Sequence, residues 1–301
     1  MQTENQKINL PILEEKKVTL SIKREDKIHP FVSGNKYRKL KYNVQKALQD
    51  NYDTLLTFGG AFSNHIAAAA CAAQESGLRS IGIIRGEELA YKWKDNPTLA
   101  TAADMGMQLQ FVPRNLYREK NSEEFLGHLK SEFGRFYLLP EGGSNDLAVK
   151  GCEEILTEDD TVFDIICGCV GTGGTIAGMI NATGNHQKVL GFPALKGDFL
   201  KESIRKFTAK ENWELQTTYH FGGYAKVTSE YINFINEFKR CTQIPLDPVY
   251  TGKMMYGLMD MVKNDRFLPG TRILAIHTGG LQGIKGMNVT LKKKNLPLID
   301  L

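Results

Sequence analysis

The chain reads as an α/β protein in two lobes, each a largely parallel sheet flanked by helices. Short apolar runs alternate with helix-like stretches along most of its length, the rhythm of parallel strands joined by helical crossovers. Glycine-rich turns close several of those runs where the next helix must begin. At 301 residues the chain can bury a sizeable core and divide into two lobes.

The elements follow in order. Asp53–Phe58 is a short apolar strand ending in Gly59-Gly60, and the Ala-rich stretch Ser63–Ala73 follows as a helix. Arg79–Ile84 is strand, and Asn96–Met105 is helix with Pro97 suited to its first turn. Gln108–Val112 is strand, Ser122–Glu132 helix and Arg135–Leu139 strand, completing a compact repeated unit. Past Glu141-Gly142-Gly143, a helix is expected over Leu147–Leu156, a buried strand over Val162–Val170 and a helix opening at Thr175–Ile180. Val189–Phe192 is strand. Glu230–Thr242 is helical, with Tyr231, Ile232, Phe234, Ile235 and Phe238 as its apolar positions. Ile273–His277 is a last strand before Thr278-Gly279-Gly280. The segment Gly197–Gln216 is charged and patternless, and no low-complexity linker separates the lobes.

Composition narrows the function classes. A hydrophobic fraction of 42% and a charged fraction of 24% describe an ordinary globular protein. The net charge of +4 is spread along the chain, and its one compact basic run, Lys292-Lys293-Lys294, reads as surface coat. That excess points away from nucleic acid and leaves room for an anionic cofactor or substrate. The five cysteines, Cys71, Cys152, Cys167, Cys169 and Cys241, are odd in number and dispersed, unlike a disulfide framework. Cys167 and Cys169 lack the spacing and the second pair of a zinc site, so no metal is expected. Residues 1–10 hold no apolar signal core, and no stretch is long and apolar enough to cross a bilayer. A cytoplasmic enzyme with no membrane partner is the expectation.

Three segments carry chemistry. In Gly34-Asn35-Lys36-Tyr37-Arg38-Lys39-Leu40 a lysine stands directly behind a Gly-Asn turn and at the start of a basic amphipathic helix. Desolvation and neighbouring cations depress a lysine held this way and free its amine for Schiff-base chemistry. A solvated helix face, with Lys39 and Lys41 close by, is the plainer reading. In Gly168–Met179 a buried strand feeds a Gly-rich turn that opens a helix, with Thr172 and Thr175 supplying hydroxyls. Backbone N–H groups and a helix N-terminus suit a phosphate monoester. No Gly-Lys-Ser/Thr ending makes it a P-loop, and the spacing misses the dinucleotide fingerprint. In Gly59-Gly60-Ala61-Phe62-Ser63-Asn64-His65, Ser63 and Asn64 cap an Ala-rich helix or present donors to a ligand, or do both. His65 has no partner visible in the sequence. Tyr224 and Tyr250 stand in Gly/Pro loops, Phe221–Ala225 and Asp247–Lys253, where phenols pack a rim or move protons. Thr278 ends a strand where ligands gather.

A lysine, a strand–glycine–helix phosphate cup and a C-terminal hydroxyl form the parts list of a pyridoxal phosphate enzyme. GNKYRKL, GGAFSNH and DPVYTGK, in this order, make the chain resemble the 1-aminocyclopropane-1-carboxylate deaminase/D-cysteine desulfhydrase family, within the tryptophan-synthase β-like fold group. The resemblance runs from about Leu20 to about Gly286. It implies a small α/β domain over 46–144 and a large cofactor domain formed by 1–45 and 145–301. It also implies a small amino-acid substrate, and relatives in this fold group are often homodimers. Position by position, it makes Lys36 the lysine joined to pyridoxal 5'-phosphate. Asn64 would bond the cofactor's phenolic oxygen, and Ser63 would meet the substrate carboxylate or assist proton transfer. Thr172, Gly173, Gly174 and Thr175 would hold the phosphate, Tyr224 and Tyr250 match two active-site tyrosines, and Thr251 and Thr278 would meet the cofactor, Thr278 near the pyridine nitrogen. Deaminase members typically carry Glu at the position of Thr251 and Leu at that of Thr278. Two threonines resemble the desulfhydrase branch, because a hydroxyl leaves the ring a weaker electron sink than a carboxylate does. Elimination of sulfide from D-cysteine is therefore expected over ring opening. Racemisation or dehydration of serine-like substrates, and a catalytically idle cofactor- or phosphometabolite-binding protein, are the rivals.

Overall fold

Nearly continuous apolar strands need cover on both faces, and helices between parallel strands supply it. A computed structural model describes residues 1–197 and 199–300; the expected larger unit ends at Leu301, which with Asp198 lies outside the described residues. The chain opens with β1 (Asn5–Ile8), α1 (Pro11–Glu15) and β2 (Thr19–Lys23), then α2 (Asn35–Gln49). Next come β3 (Thr54–Gly59), α3 (Asn64–Glu75), β4 (Arg79–Arg85), α4 (Pro97–Asp104), β5 (Met107–Val112), α5 (Arg114–Arg118), α6 (Glu123–Phe133) and β6 (Tyr137–Leu139). The remainder is α7 (Asp146–Glu153), β7 (Ile165–Val170), α8 (Gly174–Ala182), β8 (Lys188–Pro193), α9 (Phe199–Arg205), β9 (Trp213–Leu215), α10 (Ser229–Thr242), α11 (Thr251–Lys263), β10 (Arg272–Ile276) and α12 (Gly283–Lys293).

Among the described residues the strands form a six-stranded sheet, β1-β2-β10-β7-β8-β9, and a four-stranded sheet, β5-β4-β3-β6. Only β1 and β2 pair antiparallel. In the larger sheet the chain steps outward from β7 through β8 to β9, then returns to lay β10 on the other side of β7. The smaller sheet does the same, outward from β3 to β5 and back to β6 beside β3. Each return leaves a point where the loops at neighbouring strand ends part and open a crevice.

Packing holds these two points in place. From His65 to Ala73, α3 is buried all round, and its alanines let it sit close on β3, β4 and α4. Helix α10 buries Tyr231, Ile232, Ile235 and Phe238 on one face. Two buried ion pairs fix the start of the chain: Lys23 to Asp160 at 2.7 Å, and Arg38 of α2 to Glu25 at 2.9 Å. Removing one partner of such a pair strands a buried charge, at a cost of about 3–5 kcal/mol. The turn before α2 is pressed against the end of β10. Gly34 adopts φ +63°, and a Cβ there would lie 1.8 Å from the Thr278 carbonyl oxygen, so only glycine fits.

Two expectations are corrected. The strand expected from Val162 begins at Ile165, because Glu158–Val162 is a 3₁₀ turn closed by Asp160, whose carboxylate accepts from the Thr157 backbone at 2.8 Å. The Asp247–Lys253 segment, read as a loop, becomes helix from Thr251 onward.

Candidate active site

Loops from both reversal points line one cleft of about 640 Å³. Lys36 stands in the first turn of α2, half-buried, with its side chain on the cleft wall. Burial pushes its amine down to about 8, while Cys152 and Asp247 pull the other way. One helical turn on, Lys39 is buried and reaches the same cleft. Its ammonium donates to the Gly142 carbonyl at 2.9 Å, to Ser144 Oγ at 2.7 Å and, longer, to Thr172 Oγ1 at 3.4 Å. Burial, then Lys36, push it down to about 7. Lys39 was not among the expected site residues. Its i, i+3 spacing from Lys36 was the available signal, since residues so spaced share a helix face.

Gly171, Thr172, Gly173 and Thr175 line the cleft from the turn between β7 and α8. Gly173 is the N-cap of α8 at φ +89° and has no side chain to cap the helix, which leaves its first N–H groups free of any side-chain acceptor at that position. Thr172 Oγ1 lies 2.5 Å from Ser144 Oγ, and Thr175 Oγ1 accepts from Asn35 Nδ2 at 2.7 Å. Gly174 opens the helix behind this wall, beside Ser144 and the Lys39 ammonium, and does not itself line the cleft.

Across the cleft, Ser63 caps α3 by accepting from the Ile66 N–H at 3.4 Å, and both Ser63 and Asn64 line the wall. Asn64 Oδ1 also accepts from Gln282 Nε2 at 3.1 Å. His65, unassigned from the sequence, lines the cleft while 2% exposed. Thr57 Oγ1 donates to the Leu139 carbonyl at 3.0 Å, so it accepts from His65 Nε2–H at 2.8 Å. That leaves His65 Nδ1 a buried lone pair with no partner. Burial and the two lysines hold this imidazole well below its usual range, hence neutral.

Tyr224 and Tyr250 complete one side, their rings 6.2 Å apart and edge-on at 70°. Burial, Tyr224 and Asp247 raise the Tyr250 phenol well above its usual range, so it is a proton donor at neutral pH. Asp247 was also missed by the sequence reading. It is buried, accepts from the N–H groups of Val249 at 3.2 Å and Tyr250 at 2.5 Å, and is raised to about 7 by burial. Thr278 lines the cleft with its hydroxyl toward Cys169 Sγ at 3.9 Å.

The expectation that Thr251 meets the cofactor is corrected. Thr251 is fully buried and does not line the cleft; its hydroxyl accepts from the Asp247 N–H at 2.8 Å and closes the turn into α11. At the mouth, Arg85 stacks over Tyr117 at 5.8 Å, Arg114 pairs with Glu88, and Glu141 accepts from Tyr117 and Lys120.

These groups fit pyridoxal phosphate. A primary amine unengaged by any hydrogen bond among the described residues suits an aldehyde carbon. The uncapped end of α8, with the Lys39 ammonium beside it and no acidic partner on that ammonium among the described residues, suits a phosphate. The wall of Cys169, Thr278 and Gly279 between them is uncharged, as an aromatic ring needs.

Comparison with known proteins points the same way. The family described as "Pyridoxal-phosphate dependent enzyme" matches residues 3–279. The mitochondrial bifunctional D-cysteine desulfhydrase/1-aminocyclopropane-1-carboxylate deaminase of Arabidopsis thaliana is 33% identical over 294 residues, covering 88% of this chain and 73% of that one. The 1-aminocyclopropane-1-carboxylate deaminase of Pseudomonas syringae pv. tomato is 28% identical over 306 residues, covering 92% and 90%. A crystal structure of an ACC deaminase homologue superposes with a TM-score of 0.82 at 29% identity, covering 97% of this chain and 94% of that one.

Proposed function

Since this chain belongs to the pyridoxal-phosphate dependent enzymes and is a lyase of the 1-aminocyclopropane-1-carboxylate deaminase/D-cysteine desulfhydrase kind, we propose that it eliminates sulfide from D-cysteine. In the net reaction D-cysteine and water give pyruvate, ammonia and hydrogen sulfide: one C–S bond breaks and water oxygen replaces the amino nitrogen. The observation that carries this reading is the lining of the β10 end of the cleft. Thr278 stands there as a hydroxyl beside Cys169, and among the described residues no carboxylate lines that wall to strengthen an electron sink, Asp247 being buried behind Gly280. A thiolate leaves readily from such a site, whereas opening a cyclopropane ring asks more of it.

Pyridoxal phosphate, when bound, supplies the sink that stabilises the charge left at Cα once its proton is gone. Lys36 would hold the cofactor through its amine until the substrate's own amine takes that place, and the freed amine, pushed down to about 8, would then take the Cα proton as general base. Lys39, the Thr172 and Thr175 hydroxyls and the open end of α8 hold the phosphate. Ser63 and Asn64, at the start of α3, orient the substrate carboxylate and the cofactor's phenolic oxygen. Tyr250 keeps its proton at neutral pH and is the donor to the departing sulfur. Tyr224, edge-on to it, restricts where that phenol can swing and narrows access for water.

A second reading, ring opening of 1-aminocyclopropane-1-carboxylate, is favoured by the tyrosine pair, which could serve a ring carbon as readily as a sulfur. The deciding assay is 2-oxo acid release by cofactor-loaded protein from D-cysteine and 1-aminocyclopropane-1-carboxylate, with L-cysteine and D-serine as controls. Pyruvate from D-cysteine without 2-oxobutyrate from the cyclopropane is the expected outcome; the reverse transfers the chain to the deaminase. In Lys36→Ala both turnover and the borohydride-reducible link to the cofactor should vanish.

A further inference from the structure

We propose that Lys253 is a positioning residue whose buried ammonium ties the loop carrying Tyr224 to the helix that carries Tyr250. The proposal rests on the reading of Tyr224 and Tyr250 as active-site groups. The loop needs support to hold its shape: Phe221 has φ +53°, Gly222 +89°, Gly223 +121° and Ala225 +55°, so four of five consecutive residues are on the left-handed side. Lys253 Nζ donates to the carbonyl just before this stretch, His220 at 2.9 Å, and to one at its centre, Gly223 at 2.7 Å.

The placement is costly for a cation. Lys253 is 1% exposed, and among the described residues no carboxylate touches its ammonium. It also sits in the first turn of α11, where the helix dipole disfavours positive charge. An apolar side chain would fill the same space without either penalty. What the ammonium adds is a pair of directed, charge-assisted bonds onto the loop. Tyr250 is the N-cap of α11 and Lys253 lies three residues on, so one turn of helix fixes both tyrosines relative to each other. The 6.2 Å edge-on contact of their rings is the geometry this tie maintains.

The variant need not unfold. Without Lys253, the His220 carbonyl keeps the Gly223 N–H at 2.9 Å and the Gly223 carbonyl keeps the Lys226 N–H at 3.2 Å. Phe221 also remains packed against Tyr231 and Tyr256.

The test compares cofactor-loaded wild type, Lys253→Met, Lys253→Arg, Tyr224→Leu, which removes the ring, and the Lys253→Met/Tyr224→Leu double variant. Lys253→Met should lower kcat by about tenfold while KM and cofactor content change by less than about threefold. Hydrogen exchange at the Gly222–Lys226 amides should quicken by about tenfold or more, with β7 and β8 unchanged. Lys253→Arg should restore most of both. The double variant should be no slower than the worse single one, because both changes act through the same phenol. Unchanged loop exchange, additive kcat losses, or cofactor lost in step with activity would each overturn the proposal. If wild type turns over none of the amino acids offered, the desulfhydrase reading fails by itself, and the exchange measurement still decides the role of Lys253.

Discussion

The turns after β3 and β7 face each other across the cleft and use the same strand–glycine–helix construction, yet they end differently. Helix α3 is closed by its own residue, Ser63, and is buried all round by alanines. Helix α8 begins at Gly173, which has no side chain, and the nearest strong charge is the Lys39 ammonium behind Ser144 and Thr172. A helix that caps itself is a structural support which can lend donors to a neutral or lightly held group. A helix left open beside a buried cation needs an anion from outside. On the function proposed above, the difference would make the smaller sheet the scaffold of the site and the larger one the source of its phosphate affinity.

The most damaging way to break this comparison is to give α8 a cap of its own. Gly173→Asp puts a carboxylate at the open end and a Cβ on a left-handed backbone; cofactor affinity should fall by more than about a hundredfold in a fluorescence titration. Lys39→Met removes the cation and leaves the turn intact. A loss of about ten- to a hundredfold is expected, the worth of charge-assisted hydrogen bonds. Equal affinity for wild type and Lys39→Met would place the phosphate elsewhere.

A smaller effect sharpens the contrast through pH. Lys39 and Lys36 are pushed down to about 7 and about 8, so between those values and the ordinary lysine range the folded chain binds fewer protons than the unfolded one. The cofactor-free protein should therefore gain stability as pH rises through that window. Inorganic phosphate favours the charged ammonium, so its stabilising shift in Tm should be full below about 7 and fade as pH climbs past 8. Lys39→Met should show little of that fading. The smallest change is Ser63→Ala, which should cost about 1 kcal/mol in a denaturant titration and leave cofactor affinity within about twofold. A large affinity loss there would mean that α3, too, serves the anion.

What the sequence disclosed and what it hid follow from the same physics. Strands buried on both faces are unbroken apolar runs, so β3, β4, β7, β8 and β10 were visible, and glycines marked the turns that line the cleft. Strand β2 was not, because it ends in Lys23, a charge made tolerable inside only by Asp160, 137 residues away. Helix α11 was hidden by Pro248 ahead of it and Gly252 in its first turn, residues that punctuate loops far more often than they open a helix. Lys39 was masked by ordinary company: a basic helix face usually meets water, and only the fold turns it toward Thr172. Thr251 erred in the other direction. It was chosen by its place in a motif, and its hydroxyl is spent on the backbone of Asp247.

The contact between Gly34 and Thr278 also orders events in time. Lys36, which we propose holds the cofactor, follows a turn seated on Thr278, 242 residues later, where the Asn35 N–H reaches the Thr278 carbonyl at 3.3 Å. A ribosome adding about 5–20 residues per second delivers Thr278 on the order of tens of seconds after Lys36. The smaller sheet can assemble during that interval, but the seat for Lys36 cannot exist. Charging with cofactor must therefore wait until Thr278 has been made and folded onto Gly34, and a product truncated before that residue is born inert.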